Sequence, residues 1–260
     1  MRKLPPDTHT DSSCLPIFLP GGDEVFLVIQ GYTDATQQLA YIAERLWERG
    51  YTVSVPRLPG NGTCGNDFLG TNYKDWLRRV TDEFFDLRCR YDTVHILGAS
   101  MGCLLALILA GNFRCGRLVL AAPAIISTSR SLRFAPLLKF FIKKSLRKNY
   151  TYCGAAEYSF VNREYWRWNW PVQAAGILKL QKMAKKILPR VKTETLVIVS
   201  EKDGTVPVCA ADLIEKAMGK DLVSRCILKE SGHIIFDHIE KEKAADAVIA
   251  WMEKTGGAKQ

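Results

Sequence analysis

The chain has 260 residues, 47% hydrophobic and 24% charged, with 36 Lys and Arg against 27 Asp and Glu and a net charge of +9. This is ordinary globular composition, which excludes a disordered chain, a collagen-like repeat and a disulfide scaffold. The length suits a single α/β domain carrying an insertion as well as it suits two domains.

In chain order, Arg2 and Lys3 are followed by two prolines and Asp7. No apolar run follows them, so no signal peptide is expected and a cytoplasmic location is. Residues 24–30 (EVFLVIQ) read as a buried parallel strand ended by Gly31. Residues 38–49 place Leu39, Ile42, Ala43 and Leu46 on one helical face, with Gly50 as the stop. Residues 51–55 are the next strand, and 58–70 are rich in turn residues. From Tyr73 a helix runs with Trp76, Leu77, Val80, Phe84 and Leu87 at helical spacing. Residues 93–98 form a strand. Residues 101–110 form a helix apolar on all sides, which implies burial on most of them. A strand follows at 117–121.

After a long interruption, strands are expected at 195–200 and 222–228, with helices at 208–218 and 241–252. Strands alternating with helices imply right-handed crossovers and a mostly parallel central sheet with helices on both faces, an α/β fold. The longest apolar run, near 99–110, is far short of the ~20 residues that span a membrane. The eight Cys form no C-x-x-C pair, and several lie in apolar runs, so they read as reduced core thiols.

Residues 124–190 break this rhythm. They hold no clear strand, and they carry 14 Lys or Arg against two acids, Glu157 and Glu164. The excess charge of the whole chain therefore belongs to this one segment. It also carries 11 of the 26 aromatic residues. The organisation expected is a core at 1–123 and 191–260, split by a basic, aromatic-rich helical insertion at 124–190. Two stretches in it, 137–148 and 177–187, read as basic amphipathic helices, which suit an anionic membrane surface or an acyl chain. The plainer alternative is that their apolar faces pack on the core and their lysines are solvated. No nucleic-acid motif accompanies the charge.

Gly98-Ala-Ser100-Met-Gly102 is a G-x-S-x-G sequence lying between a predicted strand and a predicted helix. That context lifts a serine clear of the sheet over a helix N-terminus, which favours negative charge developing on a substrate oxygen. A serine hydroxyl needs a base. Of the four His, His9 is in the N-terminal tail and His95 is inside a strand. His238 lies beside Asp237 and reads as a surface or helix-start residue. His233, in S-G-H after the last strand, falls at the sheet edge that also carries Ser100. The acid that orients it reads as Asp203, with Glu201 and Asp237 as competitors. The order Ser100, Asp203, His233 is that of the nucleophile-elbow hydrolases. The N–H groups of Tyr32, in the loop after the first predicted strand, and of Met101 would form an oxyanion hole. Tyr158, Trp166 and Trp168 are candidates for the substrate pocket. No metal or organic cofactor is required.

At this point the chain resembles the α/β-hydrolase family over nearly its whole length. The resemblance is closest to the bacterial carboxylesterase and monoacylglycerol lipase group. It rests on G-Y-T-D (31–34), R-G-Y-T-V-S-V-P-R-L-P-G-N-G-T (49–63), G-A-S-M-G (98–102), D-G-T-V-P (203–207) and S-G-H (231–233). It implies a serine esterase acting on acyl esters or lipids, with residues 124–190 as a cap. Two positions depart from the group's pattern: Gln30 and Asn61 stand where His is usual. The alternatives are an acyl-thioesterase or C–C bond hydrolase with the same triad, and a lipid-binding protein without catalysis.

Overall fold

The structure is a computed structural model that describes residues 4–148 and 156–256. Its centre is a seven-stranded sheet. The strands are β1 (Ile17–Leu19), β2 (Glu24–Ile29), β3 (Thr52–Val55), β4 (Thr93–Ala99), β5 (Leu118–Ala121), β8 (Thr195–Ser200) and β9 (Val223–Leu228), in the order β1-β3-β2-β4-β5-β8-β9. Six of them are parallel, and β1 runs antiparallel along the β3 edge. The inner strands are buried on both faces because helices cover both.

One face carries α1 (Ala40–Trp47) and α9 (Lys241–Gly256). Their Ile42, Leu46, Val248 and Met252 pack on Phe26, Leu97 and Val119. The other face carries α3 (Tyr73–Arg90), α4 (Met101–Asn112) and α8 (Cys209–Met218). Helix α4 is buried from Met101 to Ala110, as its all-round apolar sequence requires. A short α2 (Gly65–Phe68) sits in the turn-rich stretch. His95 is a packed strand residue. It stacks on Phe26 at 4.8 Å, and its Nδ1 accepts the Arg117 N–H at 2.9 Å, so its proton sits on Nε2, facing Glu24.

Strands β5 and β8 pair directly, so the chain between them leaves the sheet and returns. The reading of this segment as strandless is corrected by a two-stranded antiparallel ladder of β6 (Ser145–Leu146) and β7 (Trp168–Asn169). The helix expected at 137–148 does not form. Only α5 (Ala135–Leu138) is helical there, followed by a turn. Lys139, Lys143, Lys144, Arg147 and Lys148 would stack like charges at i,i+4 along such a helix, with few core contacts to offset them.

The second expected helix is real and longer, as α7 (Pro171–Ile187). Its Ile177, Leu180 and Ala184 are buried in the core shared with α4, and its lysines face outward, which is the plainer of the two readings. Between the ladder strands, α6 (Ser159–Val161) continues into a π-turn over Asn162–Trp166. Buried amides fasten this half to the core. Gln173 donates to the carbonyls of Phe68 and Thr71, and Gln181 to that of Ala124. Trp170 is 2% exposed and packs edge-on against Phe68 at 5.3 Å.

Trp170 therefore belongs to the main core. Trp170→Ala should cost about 3–5 kcal/mol. Urea unfolding should remain a single transition with a lower midpoint, because α7 and the sheet share that core.

Candidate active site

Parallel pairing aligns the C-terminal ends of the strands, so the loops after β2, β4, β8 and β9 open at one edge. Between β4 and α4 the chain reverses at Ser100, with φ 52° and ψ −115°. A side chain in the left-handed region is strained. The turn is held by the Ser100 N–H donating to the Ala121 carbonyl at 2.8 Å, and by the Ser100 carbonyl accepting from Cys103 and Ala124. It also needs bare backbone on either side: a Cβ on Gly98 would lie 2.6 Å from the Cys103 nitrogen, and one on Gly102 would run into the Ile29 carbonyl. Thr33 and Ala122 are the other non-glycine residues with positive φ among the described residues, and both lie at this same edge.

The Ser100 hydroxyl is 2.8 Å from His233 Nε2, and His233 Nδ1 is 2.8 Å from Asp203 Oδ2. A carboxylate only accepts, so Nδ1 carries the proton and Nε2 is the acceptor for the serine O–H. Asp203 is 7% exposed. Burial acts to raise its pKa. The hydrogen bond and charge of His233, with the N–H groups of Val206 and Thr205, outweigh this and hold it below its ordinary value. The competitors are elsewhere: Glu201 pairs with Lys229, and Asp237 is bound to Tyr158. His238 accepts the Gly232 N–H at 3.2 Å and its carbonyl receives the Lys241 N–H at the start of α9.

The His233 loop is fastened from below. Ser200 Oγ donates to the Ser231 carbonyl at 2.5 Å. The Glu240 carboxylate accepts the N–H groups of Lys229, Glu230 and Ser231 at 2.8–3.0 Å. Those bonds lower the Glu240 pKa to about 2.

Tyr32 and Met101 border, with Ser100 and His233, a cavity of about 340 Å³. Gln30, fully buried, joins the Tyr32 loop to the loop after β3: its Nε2 donates to the Asp34 carbonyl at 2.6 Å and its Oε1 accepts the Leu58 N–H at 3.3 Å. Asn61 is buried too; its Nδ2 reaches the carbonyls of Leu58 and Pro59, while its Oδ1 has no partner among the described residues.

Of the three aromatic candidates for the pocket, Trp166 lines the cavity and its Nε1 donates to the Thr33 carbonyl at 3.0 Å. Tyr158 and Trp168 are not among its walls. Tyr158 packs behind Trp166 at 6.0 Å, and Trp168 donates to the Arg163 carbonyl with Lys144 over its ring. The sequence reading missed Asp34 and Arg147, which both line the cavity. The G-Y-T-D run contains Asp34, but its position beside Ser100 comes from a long-range fold contact. Among the described residues no group of three or more His, Cys, Asp or Glu could hold a metal ion, and no helix is long and apolar enough to cross a membrane.

Comparison with known proteins gives one family, the alpha/beta hydrolase family, matching residues 17–251. A thermostable monoacylglycerol lipase of Bacillus sp. (strain H-257) is 27% identical over 232 residues, covering 86% of this chain and 88% of the relative. A carboxylesterase of Bacillus subtilis (strain 168) is 31% identical over 88 residues, 34% of this chain and 36% of the relative. A solved structure from work on LipS and LipT, two metagenome-derived lipolytic enzymes, superposes with a TM-score of 0.82 at 23% identity. It covers 95% of this chain and all of the other.

The anchoring role of Glu240 has a pH signature. Its depressed pKa contributes stability that is present above about pH 4.5 and is lost as pH falls toward 2. Glu240→Gln should flatten that part of an acid-unfolding curve and lower activity at neutral pH by loosening the His233 loop.

Proposed function

As the chain belongs to the α/β hydrolase family, we propose that it is a serine hydrolase of carboxylic esters, acting on acyl esters or lipids through an acyl-enzyme on Ser100. The observation that carries this reading is the relay of two 2.8 Å contacts, Ser100–His233–Asp203, at a strained turn facing a cavity. The lipolytic relatives support ester substrates.

His233 takes the hydroxyl proton as Ser100 Oγ attacks the carbonyl carbon. Asp203 stabilises the imidazolium and fixes its tautomer. The N–H groups of Tyr32 and Met101 receive the oxyanion, each worth roughly 3 kcal/mol of transition-state stabilisation. His233 returns the proton to the leaving alcohol, then deprotonates the water that releases the acid. The chemistry needs no metal or organic cofactor. Residues 124–190 act as the cap, with Trp166 as the ring that meets the substrate and Tyr158 backing it. Free thiols at the seven described cysteines support a reducing, cytoplasmic setting.

The cap also presents a surface suited to anionic lipid. Phe134, Leu137, Phe140, Phe141 and Leu146 are each more than half exposed. Interleaved with them are Arg133, Lys139, Lys143, Lys144, Arg147 and Lys148, and no acid. Exposed apolar area of this extent marks an interaction site, and each cation near an anionic surface adds about 1 kcal/mol. Leu132 and Arg147, at the two ends of this stretch, line the cavity, so docking would bring its mouth to the lipid.

Ser100→Ala should abolish both fluorophosphonate labelling and hydrolysis in a panel of p-nitrophenyl esters, monoacylglycerols and acyl thioesters. His233→Ala should do the same, and His238→Ala should not. Full turnover by Ser100→Ala would sink the assignment, and a preference for thioesters would move the substrate class. For the surface, Phe140→Asp with Phe141→Asp should abolish sedimentation with phosphatidylglycerol-containing vesicles and leave hydrolysis of a soluble short-chain ester unchanged. Binding retained by that double variant would refute lipid docking through this patch.

A further inference from the structure

A second carboxyl group stands at this centre, and the steps above give it no part. Asp34 follows β2 in the Tyr32 loop. It borders the main cavity with Ser100 and His233. It also borders a second, small cavity of about 20 Å³ whose walls include Gln38, Ser100 and His233. The carboxyl is held in place: it accepts the Gly31 N–H, and the space a Gly31 side chain would take is bordered by both groups, its Cβ point lying 2.1 Å from Asp34 Oδ2 and 3.1 Å from Ser100 Cβ. The Gln30 amide fixes the Asp34 backbone at the same time. Asp203 reaches His233 from behind through Nδ1, whereas Asp34 stands on the cavity side with Ser100.

We propose that Asp34 is an ionisable positioning residue of the hydrolytic centre, whose charge sets the pH at which His233 is free to act as a base. The inference rests on the serine-hydrolase reading. Its physics is through-space: a carboxylate near an imidazolium favours the charged ring. Burial pushes the Asp34 pKa up to about 6, with the charge of His233 and the Gly31 N–H pulling it back. Asp34 is therefore neutral below that pH and charged above it, in the range where imidazoles titrate. The charged form has a second effect of opposite sense, since it opposes the negative charge that gathers at the Tyr32 and Met101 N–H groups.

The other groups around Asp34 do not supply this titration. Tyr32, in the same loop, has its phenol pushed far up by burial. Arg147, from the cap, places a guanidinium at the cavity wall. Asp203 is held in its ionised form behind His233. Asp237, following the His233 loop, is bound to Tyr158. Gln38, Thr205 and Trp166 do not ionise.

The test is the pH dependence of kcat/KM for a neutral p-nitrophenyl ester, and of fluorophosphonate labelling rate, in wild type, Asp34→Asn and Asp34→Glu. Asn keeps an acceptor for the Gly31 N–H and removes the charge. Asp34→Asn should move the acid limb to lower pH by about half a unit or more, and Asp34→Glu should restore a limb near the wild-type position. Superimposable profiles, or a loss of rate equal at every pH, would overturn the proposal and leave Asp34 a structural residue. If Asp34→Asn does not fold, the wild type decides through the His233 ring resonances, followed by NMR titration. A two-step curve is expected, and a single step refutes the coupling. Wild type that neither labels nor hydrolyses any ester would instead defeat the serine-hydrolase reading, and the NMR titration would still test the coupling alone.

Discussion

The site depends on one backbone conformation, the left-handed turn at Ser100. Such a turn costs of order 1–3 kcal/mol and persists only where its surroundings over-determine it. Here they do so from three sides. Strand β4 enters from the centre of the sheet, α4 leaves as the most deeply buried helix, and the Ala121 and Ala124 backbone closes the gap between them. The small residues on either side of Ser100 follow from that crowding. So does the position of everything else, since a raised serine is useful only if loops from β2, β8 and β9 end at the same edge.

The segment between β5 and β8 is two things joined end to end. Its later half is core: Tyr165, Trp170 and one face of α7 are buried, and the Thr63 N–H donates to the Tyr165 hydroxyl at 2.9 Å. Its earlier half is surface, with Phe134, Phe140 and Phe141 exposed among cations. Composition averaged over residues 124–190 blends these into one basic, aromatic block. Burial separates them, and it also explains why α7 holds as a helix while the stretch after α5 does not: the first has a partner face and the second has only its own repelling charges.

The sequence made the sheet and the relay legible because both are written in local patterns. Apolar β-branched runs mark the inner strands, and Ser100, Asp203 and His233 each follow one. What lacked a local signal was missed. Strand β1 is three residues long on an outer edge, with Phe18 exposed, and has no alternation to read. Helix α2 is a single turn within turn-forming residues. Trp166 and Trp168 are two residues apart in the same aromatic cluster, yet one lines the cavity and the other braces a two-residue ladder. Asp34 is an acid in a polar loop until β9 delivers His233 beside it, and no spacing along the chain carries that information. Gln30 shows the reverse case: a departure from the expected His is absorbed because an amide can donate and accept at once, and so ties two loops together.

The order in which the sheet is laid down has a consequence for synthesis. Strands β1 to β5 and Ser100 leave the ribosome first, while β8, β9 and the loops carrying Asp203 and His233 come only after the whole insertion. At roughly 5–20 residues per second, many seconds of translation separate the serine from its base. During that interval the nascent chain holds Ser100 without His233 or Asp203. The relay closes only when β9 docks on β8 and Glu240 fastens the turn above it. A chain truncated before that point would present the hydroxyl with nothing to take its proton, so any hydrolysis is withheld until the last quarter of the polypeptide has been added.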